Sequence, residues 1–343
     1  MPERFVLVLA GGRGERFWPW SRPERPKQLL PLARDGRTLL GATIDRALRL
    51  VPRERVVVMT AADLVPEVQR ECKGMKVIGE PVGRSTAPAI AAAAALFRPD
   101  DAFAVFHADH LIDDVAAFTA DLERGFEAAE REDVLVTIGV RPTRPEPGFG
   151  YIHRGAAIGE RLHRVAAFKE KPDRALAEAW TATGEYFWNA GMFVWRRSVF
   201  MDALAVGRPR LAEAFRDLTA KDLERTLAEV FPGVEAISVD HAVLEYASNT
   251  IVVEASFDWD DLGSWAAWAR RQPHDARGNV LFGEAVALDC DRCVVVGEGG
   301  TAAAMGLKDT VVVHVNGATL SCLLGAADDV RRVTEAVRAR SGS

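Results

Sequence analysis

Glycines and positive charges occur together just after a short apolar segment, residues 5–10, near the N-terminus of the sequence. Glycines that follow a strand let the backbone come close to a ligand and direct N–H groups at phosphate oxygens. Arg13, Arg16 and Lys27 would then neutralise phosphate charges, and three prolines in the same segment would limit its motion before binding. The segment matches neither a Walker A sequence nor a complete dinucleotide fingerprint. We therefore predict a phosphate-binding segment here, in preference to a solvated basic turn.

Aspartates in two parts of the sequence could bind a metal ion. Asp109 follows the apolar segment 102–107. Asp258, Asp260 and Asp261 lie close together later in the chain. Because Mg²⁺ is usually held by one or two carboxylates together with substrate phosphates, these residues predict metal-assisted phosphate chemistry. The residue types alone leave open which of the three clustered aspartates would be the ligand.

Short apolar segments rich in β-branched residues alternate with helix-like segments through the first half of the sequence. This alternation predicts an α/β fold with a largely parallel sheet that is covered by helices on both faces. Ligands of such sheets bind beyond the carboxyl ends of the strands, which is where the glycine-rich segment and Asp109 fall. Residues 141–195 are rich in turns and aromatic residues, and we expect them to line a pocket.

The pattern changes after Gly278, where short strand-like segments alternate with Gly, Asp or Asn and a closing amphipathic helix follows. We therefore predict two domains. A Rossmann-like domain with a mixed, mostly parallel sheet spans residues 1–270, and a β-helix-like domain with the closing helix spans residues 271–343. The titratable residues of the second domain are scattered, so we expect it to pack against the first domain or a second subunit and to do no chemistry. Cys290 and Cys293 form a CxxC pair, which we interpret as packing residues because no second ligand pair lies nearby.

The overall charge argues against nucleic acid as a partner. The chain carries 43 basic and 49 acidic residues, a net charge of −6, whereas a general nucleic-acid binder is usually basic. No apolar run approaches the roughly 18 residues of a membrane span, and the N-terminus does not have the pattern of a secretory signal. We therefore expect a cytoplasmic protein with no membrane partner.

The motifs as a set resemble those of the sugar-nucleotide pyrophosphorylases. "LAGGRGERFWPWSRPERPKQ" is similar to the family signature and, in particular, to the version found in bacterial mannose-1-phosphate guanylyltransferases. The resemblance continues, in the expected order, through "GEPVGRSTAPAI", "FKEKPD", "YFWNAGMFVWR", "SVDHAVLEYA" and "FDWDDLGSW". It implies a nucleotidyltransferase domain that uses Mg²⁺ to make GDP-mannose and pyrophosphate from GTP and mannose 1-phosphate. A sugar phosphate is already an anion, so its attack on the α-phosphorus needs cations and positioning rather than a general base.

The resemblance also implies roles for individual residues. The implied catalytic residues are Arg13, Arg16, Lys27 and Asp109. The implied nucleotide-binding residues are Leu9, Ala10, Gly11, Gly12, Gly14, Glu80, Gly83, Ser85, Thr86, Ala87 and Asp109. The implied sugar-phosphate ligands are Gly150, Glu170, Lys171 and Asn189, and the implied metal ligands are Asp109 and Asp261. Glu80 could accept the N1–H and N2–H₂ donors of guanine, and the family usually has Asn where this sequence has Ser85.

Two other functions stay open at this point. A sister enzyme that joins another hexose 1-phosphate to another nucleotide would use the same charges. A non-catalytic sensor of sugar nucleotides would be expected to lack the cations or the metal carboxylates, which this sequence retains. The sequence also leaves open whether the protein assembles as a homodimer.

Overall fold

The structure is a computed structural model that describes residues 1–341 of the chain. The described residues form two compact units, and the chain passes between them more than once. The first unit comprises Met1–Gly11, Thr43–Ala108 and Ile112–Trp259. The second comprises Gly12–Ala42, Asp109–Leu111 and the described residues from Asp260 onward. The domain boundary near residue 270, which rests on the change in sequence pattern, stays a prediction.

The first unit contains a mixed sheet of nine strands in the order β3-β2-β1-β4-β8-β5-β9-β7-β6. Parallel pairing joins β1 to β2 and β4, β2 to β3, and β5 to β9, whereas β8 runs antiparallel to β4 and β5. Its strands are β1 (Arg4–Leu9), β2 (Val56–Ala61), β3 (Lys76–Glu80), β4 (Ala102–His107), β5 (Leu135–Val140), β6 (Tyr151–Gly159), β7 (Leu162–Lys169), β8 (Tyr186–Arg196) and β9 (Thr250–Glu254). The predicted α/β fold with a mixed sheet is confirmed.

The central strands are mostly apolar because the sheet buries them on both faces. Every residue of β5 is buried, as are the first five residues of β2 and of β4. The α-helices of the chain are α1 (Leu39–Ala47), α2 (Val65–Glu71), α3 (Thr86–Ala94), α4 (Val115–Arg131), α5 (Arg174–Thr183), α6 (Arg197–Gly207), α7 (Pro209–Arg216), α8 (Leu223–Glu229), α9 (Trp265–Arg270) and α10 (Val330–Ser341). Single turns of 3₁₀-helix include Glu15–Phe17 and Lys27–Leu29, and Asp240–Leu244 is a π-helix. None of the described helices is both long and apolar enough to cross a membrane.

Residues 141–195, whose sequence predicts many turns, contain more β-strand than their amino-acid composition indicates. It holds the hairpin of β6 and β7 and most of β8. Residues of β7 are exposed or half-buried, so the hairpin lacks the continuous apolar pattern of the central strands. Its Gly and Ala residues therefore hide the strand signal in the sequence.

The second unit contains a sheet of four strands in sequence order. They are β10 (Val280–Leu288), β11 (Val294–Met305), β12 (Thr310–Val315) and β13 (Ala318–Leu323). Parallel pairing stacks Val280 on Val294 and Val294 on Val311, and β13 returns antiparallel to β12. Successive parallel turns of this kind confirm the β-helix-like prediction. Cys290 and Cys293 are buried in an apolar cluster, as expected for packing residues.

The core of the second unit draws on distant parts of the sequence. Phe17 and Trp20, from the glycine-rich N-terminal segment, pack with Trp265 and Trp268 and with valines of β11 and β12. The ring of Trp20 stacks on Trp265 at a centroid distance of 5.8 Å and an interplanar angle of 5°. The N-terminal segment and the C-terminal strands therefore share one hydrophobic core.

Candidate active site

Lys27 occupies a short turn whose backbone fixes its direction. Pro26 caps the 3₁₀ turn Lys27–Leu29, and the Leu30 amide donates to the Lys27 carbonyl at 3.0 Å. The side chain is only 7% exposed. Its Nζ donates to Oδ2 of Asp109 at 2.9 Å and to the backbone carbonyl of Asp261. The structure thus brings together three residues that lie far apart in the sequence.

The segments that carry Asp109 and Asp261 are held side by side. The Leu111 amide donates to the Asp260 carbonyl at 2.9 Å, and the Asp260 amide donates back to the Leu111 carbonyl at 3.1 Å. Burial raises the pKa of Asp261, the Lys27 charge lowers it, and the charges of Asp260 and Asp109 raise it further. The carboxylate groups of Asp109 and Asp261 are therefore close enough to repel each other.

This pair fits a divalent metal ion, because hard cations prefer carboxylate oxygens and would relieve the repulsion. Asp260 is a poorer candidate ligand. Its carboxylate accepts a hydrogen bond from the Leu262 backbone N–H at 2.9 Å and lies 3.8 Å from the Arg270 guanidinium. Both contacts already engage the carboxylate within its own segment. Asp258 is exposed. Among the three clustered aspartates, the geometry favours Asp261.

Gly14, in the glycine-rich segment near the N-terminus, cannot be replaced by another residue without strain and a clash. Its φ is +61°, and a Cβ added there would lie 2.3 Å from the Cβ of Lys27. Only glycine permits both the left-handed conformation and this close approach. A Cβ added at Gly12 would meet open space. Arg13 and Arg16 are exposed, and Nη1 of Arg16 lies 3.4 Å from the Gly263 carbonyl.

In the first unit, the side chain of Glu80, at the end of β3, reaches across β2 to the residues that follow β1. A Cβ added at Gly11 would lie 3.3 Å from Oε1 of Glu80, so this carboxylate faces the glycine backbone. Ala10 continues the strand pattern after Leu9, since its amide donates to the Met59 carbonyl at 2.7 Å. Burial raises the pKa of Glu80 to about 7. Glu80 can therefore change charge near neutral pH.

The predicted base-binding segment from Gly83 to Ala87 has a strained residue at its centre. Ser85 has φ +66° and ψ −167°, a region that is essentially restricted to glycine. Neighbouring bonds hold it there: Oγ1 of Thr86 accepts from the Val239 amide at 2.8 Å, and the Ala87 amide donates to the Ile237 carbonyl at 3.1 Å. The segment is therefore held rigid where α3 begins.

The four residues predicted to bind the sugar phosphate lie together. The backbone N–H of Asn189 donates a hydrogen bond to the Gly150 carbonyl at 2.8 Å. A Cβ added at Gly150 would lie 2.6 Å from Oε2 of Glu170, so a larger residue would displace that carboxylate. Nζ of Lys171 lies 2.9 Å from Oε1 of Glu170 and is largely exposed. The Glu170 carboxylate, the Asn189 side-chain amide and the Lys171 ammonium form a polar cluster suited to sugar hydroxyls and phosphate.

Asp240 belongs to this group, and sequence reasoning missed it. Its Oδ1 accepts a hydrogen bond from Nδ2 of Asn189 at 2.7 Å, while Oδ1 of Asn189 accepts from Oγ1 of Thr137 at 3.0 Å. Burial, together with the charge of Glu170, raises the pKa of Asp240 to about 6. The motif "SVDHAVLEYA" contained it, but a lone aspartate before a helix gives no signal of a contact with Asn189. A π-helix begins at this residue, a feature often found at functional sites.

Two family models match the sequence. The model described as Nucleotidyl transferase matches residues 5–278. The model described as MannoseP isomerase/GMP-like beta-helix domain matches residues 283–337. The first match covers the nine-stranded sheet, and the second covers most of the four-stranded sheet and the following helix.

Individual proteins resemble the chain over nearly its full length. A mannose-1-phosphate guanylyltransferase of Klebsiella pneumoniae is 38% identical, covering 96% of this chain and 73% of that protein. A protein of the same name from Escherichia coli (strain K12) is 36% identical, covering 98% of this chain and 73% of that protein. A crystal structure described as a mannose-1-phosphate geranyltransferase from Thermus thermophilus has a TM-score of 0.89 at 37% identity, covering 98% of this chain and 99% of that chain.

Proposed function

The chain belongs to the nucleotidyl transferase family, and we propose that it makes GDP-mannose and pyrophosphate from GTP and mannose 1-phosphate. Relatives that carry the name of this activity, at 36% and 38% identity over nearly the whole chain, support the proposal. The structural observation that carries it is the grouping of Lys27, Asp109 and Asp261. A buried cation beside two carboxylates suits metal-assisted transfer between phosphates.

The reaction needs charge neutralisation more than proton transfer. A phosphate oxygen of mannose 1-phosphate forms a bond to the α-phosphorus of GTP, and the bond from that phosphorus to the bridging oxygen breaks. Pyrophosphate leaves with the electron pair, so negative charge grows on it. Lys27, Arg13 and Arg16 are the cations that we assign to the phosphates, with the backbone of Gly11, Gly12 and Gly14 supplying N–H donors.

We propose Mg²⁺ as the metal, held by Asp109 and Asp261. When bound, this ion would supply positive charge that neutralises part of the charge of the phosphates. Lys27 keeps Asp109 in place through the 2.9 Å contact and balances its charge before substrate arrives. The carboxylates are therefore arranged in advance, which lowers the cost of organising the site.

We assign recognition of the base and sugar to the first unit. Ionised Glu80 would accept both guanine donors, and the backbone from Gly83 to Ala87 would face the nucleotide. Glu170 and Asn189 would bind mannose hydroxyls, and the exposed Lys171 would approach the sugar phosphate. Asp240 would fix the orientation of the Asn189 amide, because it accepts one of that group's two donated hydrogens.

Pyrophosphate release, measured across a panel of nucleoside triphosphates and hexose 1-phosphates, tests the proposal. We expect GTP with mannose 1-phosphate to give the highest kcat/KM. A preference for another pair would make the chain a sister enzyme, and binding of GDP-mannose without turnover would make it a sensor. The cytoplasmic location and the homodimeric assembly stay predictions.

A further inference from the structure

We propose that Glu298, on strand β11 of the β-helix-like module, is a positioning residue for the N-terminal basic segment, residues 12–32. The C-terminal module would then take part in catalysis indirectly, by holding the backbone that carries Lys27. The kinetic part of this inference rests on the proposed function, whereas its structural part does not.

Glu298 binds the basic segment with both carboxylate oxygens. Nε1 of Trp20 donates to Oε2 at 2.6 Å, and Nη1 of Arg25 donates to Oε1 at 2.6 Å. Trp20 is only 1% exposed, so without Glu298 its N–H would be buried with no acceptor. Both bonds involve the charged carboxylate, and the one from Trp20 is shielded from water by the burial of the indole.

A short, hydrogen-bonded stretch of backbone connects the residue that Glu298 binds, Arg25, to Lys27. Arg25 and Arg22 exchange backbone hydrogen bonds, each 3.0 Å long, which close a tight turn. Pro26 follows this turn and caps the turn that begins at Lys27. Only one residue therefore separates Arg25, which Glu298 holds, from Lys27.

Glu298 is itself held firmly enough to act as a support. Its carbonyl accepts a hydrogen bond from the Asn316 amide at 3.0 Å, and it pairs with Val315 of β12. Nη2 of Arg22 donates to the Val315 carbonyl at 3.0 Å, which adds a second tie between the segment and the module. Apolar packing of Trp20 against Phe282, at a centroid distance of 4.9 Å, completes the arrangement.

A role in folding alone makes a different prediction from a positioning role. The ion pair of Arg25 and Glu298, with side chains 39% and 31% exposed, contributes little to stability, so a role in folding would rest mainly on the acceptor for the buried Trp20 N–H. Misplacement of a catalytic group by about 1 Å can lower the rate about 100-fold. Loss of the carboxylate should therefore lower kcat well beyond its effect on stability.

The test compares Glu298→Gln with Glu284→Gln. Glu284 is exposed on the neighbouring strand β10 and accepts a 3.5 Å hydrogen bond from Thr301, so the control makes the same chemical change away from the basic segment. We expect Glu298→Gln to lower kcat by about tenfold or more, with the KM for mannose 1-phosphate unchanged. Amide hydrogen exchange across residues 12–32 should become faster in this variant and remain normal in Glu284→Gln.

Normal exchange in residues 12–32 of Glu298→Gln would overturn the inference, and so would a normal kcat despite faster exchange. If Glu298→Gln fails to fold, Trp20→Phe takes its place, because it removes the N–H donor and keeps most of the ring packing. The same lower kcat and faster exchange in residues 12–32 are then expected of Trp20→Phe, and their absence would overturn the inference. The exchange measurement needs no turnover. It therefore distinguishes failure of this inference from failure of the proposed activity.

Discussion

The ammonium nitrogen of Lys27 lies 2.9 Å from the carboxylate of Asp109, in a position where the lysine is almost fully buried. Removing a lysine from water is costly unless its charge is paired. The pairing with Asp109 and the bond to the Asp261 carbonyl supply that compensation. The contact therefore links the cation of the basic segment to the carboxylate proposed to bind metal.

Substitution of Lys27 by Met should mainly affect the chemical step. The side chain keeps its length and packing but loses the charge that would stabilise the leaving pyrophosphate. We expect kcat to fall on the order of 10²–10³-fold, with a smaller change in the KM for GTP, because the lost interaction strengthens in the transition state. Steady-state kinetics for both substrates check this.

Lys76→Met is the matched control for Lys27→Met, since Lys76 is an exposed lysine of β3. It should leave both constants unchanged. A Lys27→Met enzyme with normal kcat and a raised KM would mean that the lysine binds substrate and transition state equally, contrary to the proposed role.

Asp261→Asn should weaken the metal site. The amide keeps the size of the carboxylate but is a poorer ligand, and it removes the repulsion from Asp109 that a cation would relieve. We expect the variant to need at least about tenfold more Mg²⁺ for half-maximal rate. Titration with Mn²⁺ in the presence of GTP, followed by electron paramagnetic resonance, should show the same weakening independently of turnover.

Asp258→Asn distinguishes between neighbouring aspartates. Asp258 is exposed, so its substitution should not alter the metal requirement. If Asp258→Asn rather than Asp261→Asn raised the Mg²⁺ requirement, the assignment of the second ligand would move to Asp258.

Recognition of GTP should depend on pH through Glu80. Its carboxyl group must be ionised to accept two guanine donors, and burial raises its pKa to about 7. The ionised fraction therefore rises about tenfold between pH 6 and pH 8, and the KM for GTP should fall by about the same factor. Glu80→Gln should bind GTP more weakly and lose this part of the pH dependence. Parallel pH profiles for the two proteins would exclude Glu80 from base recognition.

The sequence predicts the fold well where structure depends on local pattern. Apolar segments alternating with helix-like segments identify the strands that become β1, β2, β4 and β5, because burial on both faces leaves a continuous apolar run. The hairpin of β6 and β7 gives no such signal, since much of it is exposed. Glycines beside arginines identify the basic segment because phosphate binding requires those types close together in the chain.

The sequence predicts less well where function depends on contacts between distant residues. Asp240 lies 51 positions from Asn189, and Glu298 lies 278 positions from Trp20. Neither acidic residue is distinctive by itself, because solvated aspartates and glutamates are common. Their roles become visible only when the fold places each carboxylate against a specific donor.

Sugar affinity should depend on Glu170. Glu170→Gln keeps the shape of the side chain, but a hydrogen bond from a sugar hydroxyl contributes about 1.5–3 kcal/mol when the acceptor is charged and only about 0.5–1.5 kcal/mol when it is neutral. We expect a raised KM for mannose 1-phosphate with little change for GTP. Glu185→Gln, at a glutamate that is 61% exposed, should change neither value. Equal losses for both substrates would point to a folding defect.

Asp240 should make the folded protein less stable as pH rises. Its pKa in the folded state is raised to about 6 from 3.8, so between these values the folded state holds more protons than the unfolded state. The free energy of unfolding should therefore fall between about pH 4 and pH 6, by roughly 3 kcal/mol from this group. Asp240→Asn removes that titration while keeping an acceptor for Asn189.

Urea denaturation of the wild type and Asp240→Asn from pH 4 to pH 7 measures this effect. The difference between their unfolding free energies should change in favour of Asp240→Asn as pH rises and then level off above about pH 6. Asp202→Asn, at an exposed aspartate of α6, should give a curve parallel to that of the wild type. Parallel curves for Asp240→Asn as well would mean that Asp240 is ionised as readily in the folded protein as in the unfolded chain. Burial and the charge of Glu170 would then have no net effect on its titration.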